Sequence, residues 1–239
     1  MRKVFKSSDI STKYIKTLVY GVSGIGKTVF ASTAPNPLYL DAEGGLLSVV
    51  DKDVDFIPIN LWSDVKEIFM DIVAGKYPNE TIVIDSLTEI SKKSMDALVG
   101  GVSAGGTSAV SDKVIPNQHD WLMNIEETRR LVRSFRDIPK HIIMTCLARD
   151  EKNEVSGGIT RKPSVSSKSL SDDILGYFDE VFYMEMDKDG NRWLLTQPYK
   201  TTQGYSVYAK DRSTKLSMFE EPDFTKLLSK IVKKKEVRK

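Results

Sequence analysis

The chain has 239 residues, of which 40% are hydrophobic and 28% charged, and its formal net charge is +2 at pH 7. This length and hydrophobic content suit one sizeable core, so one domain is expected rather than two. Neither a signal peptide nor an apolar run of membrane-spanning length is present, which predicts a cytoplasmic protein without a membrane partner. The single cysteine, Cys146, excludes an internal disulfide, and with only His119 and His141 no Cys/His metal cluster is expected.

The first predicted strand, residues 17–20, leads into a glycine-rich loop and then a helix start. From Gly21 to Thr28 the loop has the spacing of a phosphate-binding loop, G-x-x-x-x-G-K-[ST]. Glycines allow successive backbone N–H groups to surround an anion, and Lys27 can reach the β- and γ-phosphates. The hydroxyl of Thr28 is a ligand for Mg²⁺. The pattern therefore predicts a site for a nucleoside triphosphate with its Mg²⁺, formed by Gly21, Val22, Ser23, Gly24, Ile25, Gly26, Lys27 and Thr28.

Strand-like and helix-like segments alternate along the rest of the chain. Further strands are predicted at residues 37–41, 56–59, 81–85, 141–147, 180–186, 192–197 and 205–210. Helices are predicted after the phosphate loop and at 63–75, 87–98, 119–136, 170–178 and 222–234, with Ser63, Ser86 and Ser171 as N-caps. This alternation predicts an α/β protein with a mostly parallel twisted sheet, helices on both faces, and ligands at the carboxyl ends of the strands. The last three strands are close together and predict an antiparallel C-terminal extension.

Two polar, glycine-containing segments interrupt this pattern. Residues 100–112 contain four glycines and three serines and no aromatic residue, which predicts a mobile loop. Residues 149–169 are longer than an ordinary connection in a compact α/β domain, and such loops tend to be functional or disordered. Both segments are expected on the side of the sheet that carries the phosphate loop.

Two strands end in acidic residues suited to Mg²⁺–phosphate chemistry. The apolar strand TIVID ends in Asp85, as expected of a Walker-B strand whose carboxylate holds the water shell of the metal. The strand at 37–41 is followed by DAEGG, which places Asp41 and Glu43 two residues apart. A glutamate at this position could activate water toward the γ-phosphate, although DAEGG is equally typical of a turn.

The order of the phosphate loop, LYLDAEGG and TIVIDSLTEI resembles the core of RecA-type recombinases over roughly residues 15–215. The resemblance implies a RecA-like P-loop NTPase fold that binds and hydrolyses ATP with Mg²⁺, with Glu43 as the hydrolytic glutamate and Asp85 at the metal. The sensor position after strand 141–147 is Thr145 or Cys146, neither of which is the glutamine of RecA. The small core at 1–225, with a tail at 226–239, resembles phage-encoded RecA-like ATPases of recombination or single-strand annealing. Such a protein would act in the host cytoplasm.

The resemblance also implies partners. RecA-like proteins bind single-stranded DNA through two loops, and residues 99–117 and 149–170 occupy these positions. The second loop provides the DNA-binding candidates Arg149, Lys152, Arg161, Lys162 and Lys168. The segment YAKDRS resembles the K-x-R finger of ring and filament ATPases, so Lys210 and Arg212 would complete the catalytic site of a neighbouring subunit in a homo-oligomer. A single-strand-binding protein is a further implied partner.

The charge distribution neither requires nor excludes a nucleic acid. Residues 226–239 contain seven Lys or Arg and one Glu, a charge of +6, which leaves −4 on residues 1–225. A solvated basic tail is the commoner interpretation. Two other functions therefore remain open from the sequence: a helicase-like or loader-type motor, and a P-loop small-molecule or nucleoside kinase with GGITRKPSVSSK as a weak lid.

Overall fold

A computed structural model describes residues 14–99, 115–154, 157–201 and 204–232. The strands are β1 (Lys16–Gly21), β2 (Pro37–Asp41), β3 (Asp55–Pro58), β4 (Thr81–Asp85), β5 (His141–Lys152), β6 (Ile159–Pro163), β7 (Glu180–Met186), β8 (Arg192–Leu195), β9 (Tyr199–Lys200), β10 (Tyr205–Val207), β11 (Lys210–Asp211) and β12 (Phe219–Glu220). The α-helices are α1 (Lys27–Ser32), α2 (Trp62–Val73), α3 (Leu87–Leu98), α4 (Gln118–Arg136), α5 (Lys168–Tyr177) and α6 (Phe224–Ile231), and Leu46–Lys52 forms a 3₁₀-helix.

The main sheet runs in the order β12-β8-β7-β1-β5-β4-β2-β3. Its central strands, from β7 through β3, are all parallel, whereas β8, β11 and β12 pair antiparallel at one end. This arrangement matches the mostly parallel α/β sheet with an antiparallel extension that the sequence predicts. Because β5 lies between β1 and β4, the phosphate loop and Asp85 are separated by one strand. Side chains at the carboxyl end of β5 therefore reach both.

Alternating side chains of the central strands form a core on each face of the sheet. On one face, Leu18 and Tyr20 of β1 pack in a cluster with apolar residues of α2, α3, α4 and α5. On the other face, Val19 packs with apolar residues of α1 and α6. The two-residue period of a strand sends successive side chains to opposite faces, which explains why the central strands are apolar throughout. Helices therefore cover both faces of the sheet.

The prediction of an irregular loop at residues 149–170 is wrong. β5 continues to Lys152, and β6 returns antiparallel to it, with Ala148 opposite Pro163 and Lys152 opposite Ile159. α5 then begins at Lys168. The segment lacks the apolar alternation of an ordinary strand because cross-strand ion pairs, such as Arg161–Asp150, stabilise the hairpin instead. Most of the other predicted loop, residues 100–114, lies outside the described residues.

Several boundaries also differ from the sequence predictions. The strand predicted at 205–210 divides into β10, which pairs with β6 and β9, and β11, which pairs with β7. Ser86 is the N-cap of α3, as predicted, and its hydroxyl accepts the N–H of Glu89. The N-cap predictions for Ser63 and Ser171 are wrong. At the start of α2 the Asp64 carboxylate accepts the N–H of Leu61, and Ser167 is the N-cap of α5.

Candidate functional site

The phosphate loop connects β1 to α1 in a conformation that requires glycine. Gly24 and Gly26 have φ angles of 74° and 110°, a region that residues with side chains rarely adopt. At Gly21 a Cβ would lie 2.9 Å from the carbonyl oxygen of Met184 on the neighbouring strand β7. The glycines thus allow both the tight turn and its close packing on the sheet.

Lys27 is a buried cation whose partners are uncharged. Its ammonium group donates to the carbonyl oxygens of Val22, at 2.9 Å, and Gly21, at 3.3 Å. Burial lowers the pKa of Lys27, and the nearby carboxylates of Glu43 and Asp85 act in the opposite direction. The ammonium group of Lys27 is desolvated, and its partners are neutral carbonyl oxygens. It can exchange them for the negatively charged oxygens of a phosphate group. This geometry fits phosphate binding.

Asp85 accepts a hydroxyl hydrogen bond on each carboxylate oxygen. Thr28 donates to Oδ2 at 2.7 Å, and Thr145, on the intervening strand β5, donates to Oδ1. Burial raises the pKa of Asp85, and the two hydroxyl donors oppose that shift. A threonine hydroxyl and a carboxylate in contact provide the oxygen donors that Mg²⁺ prefers, so these residues fit a nucleotide-bound Mg²⁺.

The two candidates for the sensor position point in opposite directions. Thr145 contacts Asp85, whereas the thiol of Cys146 lies against the hydroxyl of Thr88 and the carbonyl of Ser164. Burial raises the pKa of Cys146 to about 11, so its thiol stays protonated at neutral pH. Of the two candidates, Thr145 is therefore the one whose side chain contacts Asp85.

Glu43 lies beside Asp85 and is held by Ser86, for which the sequence predicted only the role of an N-cap. The Ser86 hydroxyl, immediately after β4, donates to Oε1 of Glu43. Asp41 is turned away, because its Oδ1 accepts the N–H of Gly44 at 2.8 Å within its own turn. β2 ends at Asp41, so Glu43 lies beyond the strand, and its spacing of two residues does not place it on the same side as Asp41. Of Asp41 and Glu43, only Glu43 therefore faces Lys27 and Asp85.

The proposed finger residues lie at the other end of the sheet. β11 pairs with Val181 and Glu180 at the start of β7, while the phosphate loop follows the carboxyl end of the parallel strand β1. Lys210 donates to the carbonyl oxygen of Leu175 at 2.6 Å, and Arg212 binds Asp179 at 2.9 Å. Neither side chain is near the phosphate loop of its own chain. Their role in a neighbouring site stays a prediction.

The basic residues proposed to bind DNA fall into two groups. Arg149, Arg161 and Lys162 form ion pairs with Glu151, Asp150 and Asp172, respectively, so their charges are already compensated within the hairpin. Arg161 also lies over the ring of Tyr205, 3.8 Å from its centroid. Lys152 and Lys168, in contrast, are exposed and have no hydrogen-bond or ion-pair partner within the described part of the chain.

A residue absent from the sequence predictions is Arg192, the first residue of β8. Its side chain lies against Gly26 of the phosphate loop. No motif marks it, because β8 is distant in sequence and joins the site only through its pairing with β7. The sequence did contain a signal for Ser86, which directly follows the Walker-B aspartate.

The chain belongs to the AAA domain family, which matches residues 13–213. The family makes it an AAA-type P-loop protein, and such proteins use a nucleotide, typically with Mg²⁺. The predicted fold class is confirmed as an α/β fold with a mostly parallel sheet, helices on both faces and an antiparallel extension.

Two archaeal structures are similar at low sequence identity. A KaiC-like protein from Pyrococcus horikoshii is 14% identical, with a TM-score of 0.39 over 76% of this chain and 77% of that chain. The flagellar accessory protein FlaH from Methanocaldococcus jannaschii is 12% identical, with a TM-score of 0.39 over 76% of each chain. No curated protein sequence matches significantly. Among the described residues, none of the helices combines the length and apolar character needed to span a membrane.

Proposed function

We propose that the protein binds ATP with Mg²⁺ in the loop from Gly21 to Thr28 and hydrolyses it. The observation that carries this proposal is the convergence of Lys27, Thr28, Asp85 and Glu43 at the carboxyl ends of β1, β2 and β4. Parallel strands bring such residues to one edge of the sheet, where α/β proteins bind ligands. When bound, Mg²⁺ would neutralise charge that develops on the phosphates.

Each side chain has a distinct role in this proposal. Lys27 binds the β- and γ-phosphates through its buried ammonium. Thr28 and Asp85 hold the metal and its water shell. Glu43, oriented by the Ser86 hydroxyl, accepts a proton from the attacking water. Glu43 thus acts mainly by stabilising the transition state of hydrolysis. Lys27 stabilises both bound ATP and the transition state.

We further propose that ATP turnover acts on single-stranded DNA in recombination or annealing, in a homo-oligomer and in the cytoplasm, as in phage-encoded RecA-like proteins. The resemblance to RecA-type recombinases supports this finer function. So does the position of the β5–β6 hairpin, because it extends from β5 at the carboxyl edge that carries the phosphate loop. Lys152 and Lys168 provide its uncompensated positive charge.

The kinase alternative receives less support from the geometry. The segment that resembled a lid forms strand β6, and Arg161 within it donates to Asp150 at 2.7 Å and to the Tyr183 hydroxyl at 2.8 Å. An arginine engaged in this way is not poised to close over a phosphate. A helicase-like motor is distinguished from the proposed function by its response to duplex DNA.

The testing experiment measures phosphate release from Mg–ATP by the purified chain without DNA, with a single-stranded oligonucleotide and with duplex. We expect hydrolysis that single strands increase. Absence of hydrolysis under all conditions would overturn the ATPase proposal. A hydrolysis rate that is the same with and without single-stranded DNA would overturn the DNA proposal alone. Stimulation by duplex DNA only would favour a helicase-like motor.

A further inference from the structure

Arg192 packs directly on the phosphate loop of its own chain. It begins β8 opposite Met186 of β7, at the carboxyl end of the parallel strands. A Cβ placed on Gly26 would lie 3.1 Å from both Cδ and Nε of Arg192, and 3.8 Å from Cζ. The absence of a side chain at position 26 therefore lets the arginine lie flat against the loop.

The guanidinium group of Arg192 has no compensating partner. Its side chain is exposed, and among the described residues it has neither a hydrogen-bond acceptor nor a carboxylate within ion-pair distance. Arg161 and Arg212, by comparison, are bound to Asp150 and Asp179. An uncompensated cation that touches an anion-binding loop is placed to meet the ligand of that loop.

The sheet order indicates which part of the ligand Arg192 would meet. Asp85 and Glu43 follow β4 and β2, on one side of β1, whereas β7 and β8 lie on the other side. A triphosphate whose terminal phosphate faces Glu43 therefore directs its nucleoside toward Arg192. The phosphate loop lies between these two ends.

An open cavity of about 330 Å³ lies at the Arg192 end. It is lined by Asn191, Arg192, Trp193, Glu221, Pro222 and Asp223. Its volume is at the lower end of the ~300–1,000 Å³ range of ligand sites. Among its lining residues Arg192 is the only cation, since Glu221 is paired with Lys226 and Asp223 caps α6, so the cavity suits an uncharged base better than a second phosphate group.

We propose that this cavity binds the nucleobase and ribose of the nucleotide, and that Arg192 contacts the phosphate nearest the ribose and the face of the base. A planar guanidinium can donate to phosphate and stack on a ring at the same time. The inference rests on the proposed nucleotide-binding function. It adds a base subsite in the same chain, between the start of β8 and the segment before α6.

The test compares Arg192→Ala and Arg192→Lys with Lys188→Ala. The control removes an exposed cation from the same β7–β8 turn, outside this cavity. Dissociation constants are measured for Mg–ATP, Mg–ADP and inorganic tripolyphosphate. We expect Arg192→Ala to weaken ATP and ADP by a similar factor of about ten, and tripolyphosphate much less. Arg192→Lys should restore only part of the loss, and Lys188→Ala should bind like wild type.

Three results would overturn the inference while leaving nucleotide binding intact: unchanged ADP affinity in Arg192→Ala, an equal loss for tripolyphosphate, or full restoration by lysine. Failure of the wild type to bind ATP would instead refute the proposed function. A measurement on the wild type avoids dependence on variant folding. Photolabelling with 8-azido-ATP should modify residues 191–193 or 221–223, and labelling confined to other segments would contradict the base subsite.

Discussion

The hydroxyl of Ser86 connects two roles at the level of a single residue. It accepts the N–H of Glu89 as the N-cap of α3, and it donates to the carboxylate of Glu43. An ordinary N-cap serine has only the first role. The stability of a helix end and the orientation of the proposed catalytic glutamate therefore depend on one oxygen atom.

Ser86→Ala should lower ATP turnover about fivefold at saturating ATP without weakening ATP binding, since one orienting hydrogen bond is worth about 1 kcal/mol. Loss of the cap should also cost about 1 kcal/mol of unfolding free energy. Ser167→Ala is the matched control, because Ser167 accepts the N–H of Leu170 at the start of α5 and does not contact Glu43. Steady-state turnover and urea unfolding are measured for both. Equal losses of turnover in the two variants would show that Ser86 acts through folding alone.

The sequence predicts those parts of the site that lie within one short, continuous segment of the chain. Gly21 to Thr28 and Asp85 follow from local spacing, because the phosphate loop and the Walker-B strand are continuous. The contacts of Thr145 with Asp85 and of Arg192 with Gly26 depend on which strands are neighbours. Strand order is a property of the whole sheet, which no local pattern records.

At the level of elements, β5 connects the nucleotide site to two other regions. Its start packs on β1 and α6 through His141, whose Nδ1 accepts the N–H of Ile15 at 3.1 Å. The ring of His141 also packs edge-on against Phe224. Its end extends beyond the sheet as one arm of the β5–β6 hairpin.

The buried histidine predicts a pH dependence of stability. Burial, assisted by the positive charge of Lys16, lowers the pKa of His141 from 6.5 to about 4. A lowered histidine pKa means that the unfolded chain binds the proton first, so stability is full above pH 6.5 and decreases as the pH falls toward 4. Urea unfolding from pH 7.5 to 4.5 should therefore show a steeper loss for wild type than for His141→Gln, which keeps an acceptor but does not titrate. Parallel curves would contradict the assignment.

The hairpin predicts which lysines contribute to DNA binding. Lys152→Ala with Lys168→Ala should weaken single-strand binding and reduce its dependence on salt, because fewer counterions are released. Arg161→Ala should mainly destabilise the hairpin, since Arg161 is bound to Asp150 and Tyr183. Affinity is measured across a salt series. The control pair, Lys188→Ala with Arg130→Ala, removes two exposed charges, in the β7–β8 turn and on α4, that lie outside the strands paired with the hairpin.

An equal effect of the two double variants would remove the hairpin from the DNA proposal. Deletion of residues 233–239 should have a smaller, non-specific effect. If that deletion alone abolished the salt dependence, DNA binding would belong to the basic tail.

The elements themselves were largely predictable, and the hairpin shows where prediction fails. Strands β2, β4 and β7 have the predicted bounds, because β2 and β4 are apolar runs that end in an aspartate and β7 contains the apolar run VFYM. β6 and the end of β5 contain charged residues in succession, so neither hydrophobic alternation nor an apolar run marks them. Their strands form because Asp150 and Glu151 lie opposite Arg161 and Thr160, where cross-strand partners replace apolar burial.

At the scale of the whole molecule, the two ends of the sheet have different predicted roles. The carboxyl edge carries the phosphate loop, and β11 places Lys210 and Arg212 toward the amino edge. A residue on the opposite edge cannot complete its own site but can complete that of a neighbour in a head-to-tail assembly. The proposed oligomer therefore makes a specific prediction for mixed subunits.

Arg212→Ala should bind ATP but hydrolyse it about 10³-fold more slowly, the lower range for an arginine supplied in trans. Mixing it with Lys27→Ala, which keeps the finger but lacks the pocket, should recover part of the activity that each lacks. Hydrolysis by the wild type should also rise more than linearly with protein concentration. Asp179→Asn is the control: it disrupts the local ion pair of Arg212 and should leave turnover near wild type.

Two outcomes would refute a finger that acts in trans. One is a mixture that stays inactive although the two variants demonstrably co-assemble. The other is an Asp179→Asn variant as inactive as Arg212→Ala, which would assign the effect to the contact with α5.

The measurement that tests the central claim most directly compares ATP binding with ATP hydrolysis in wild type, Lys27→Ala and Glu43→Gln. Lys27 lies in the phosphate loop, and Glu43 faces Asp85 from outside it. Lys27→Ala should lose both binding and hydrolysis, whereas Glu43→Gln should bind ATP like wild type and lose turnover by at least about 10²-fold. Hydrolysis by Glu43→Gln near the wild-type rate, or undiminished ATP binding by Lys27→Ala, would show that these roles are assigned wrongly.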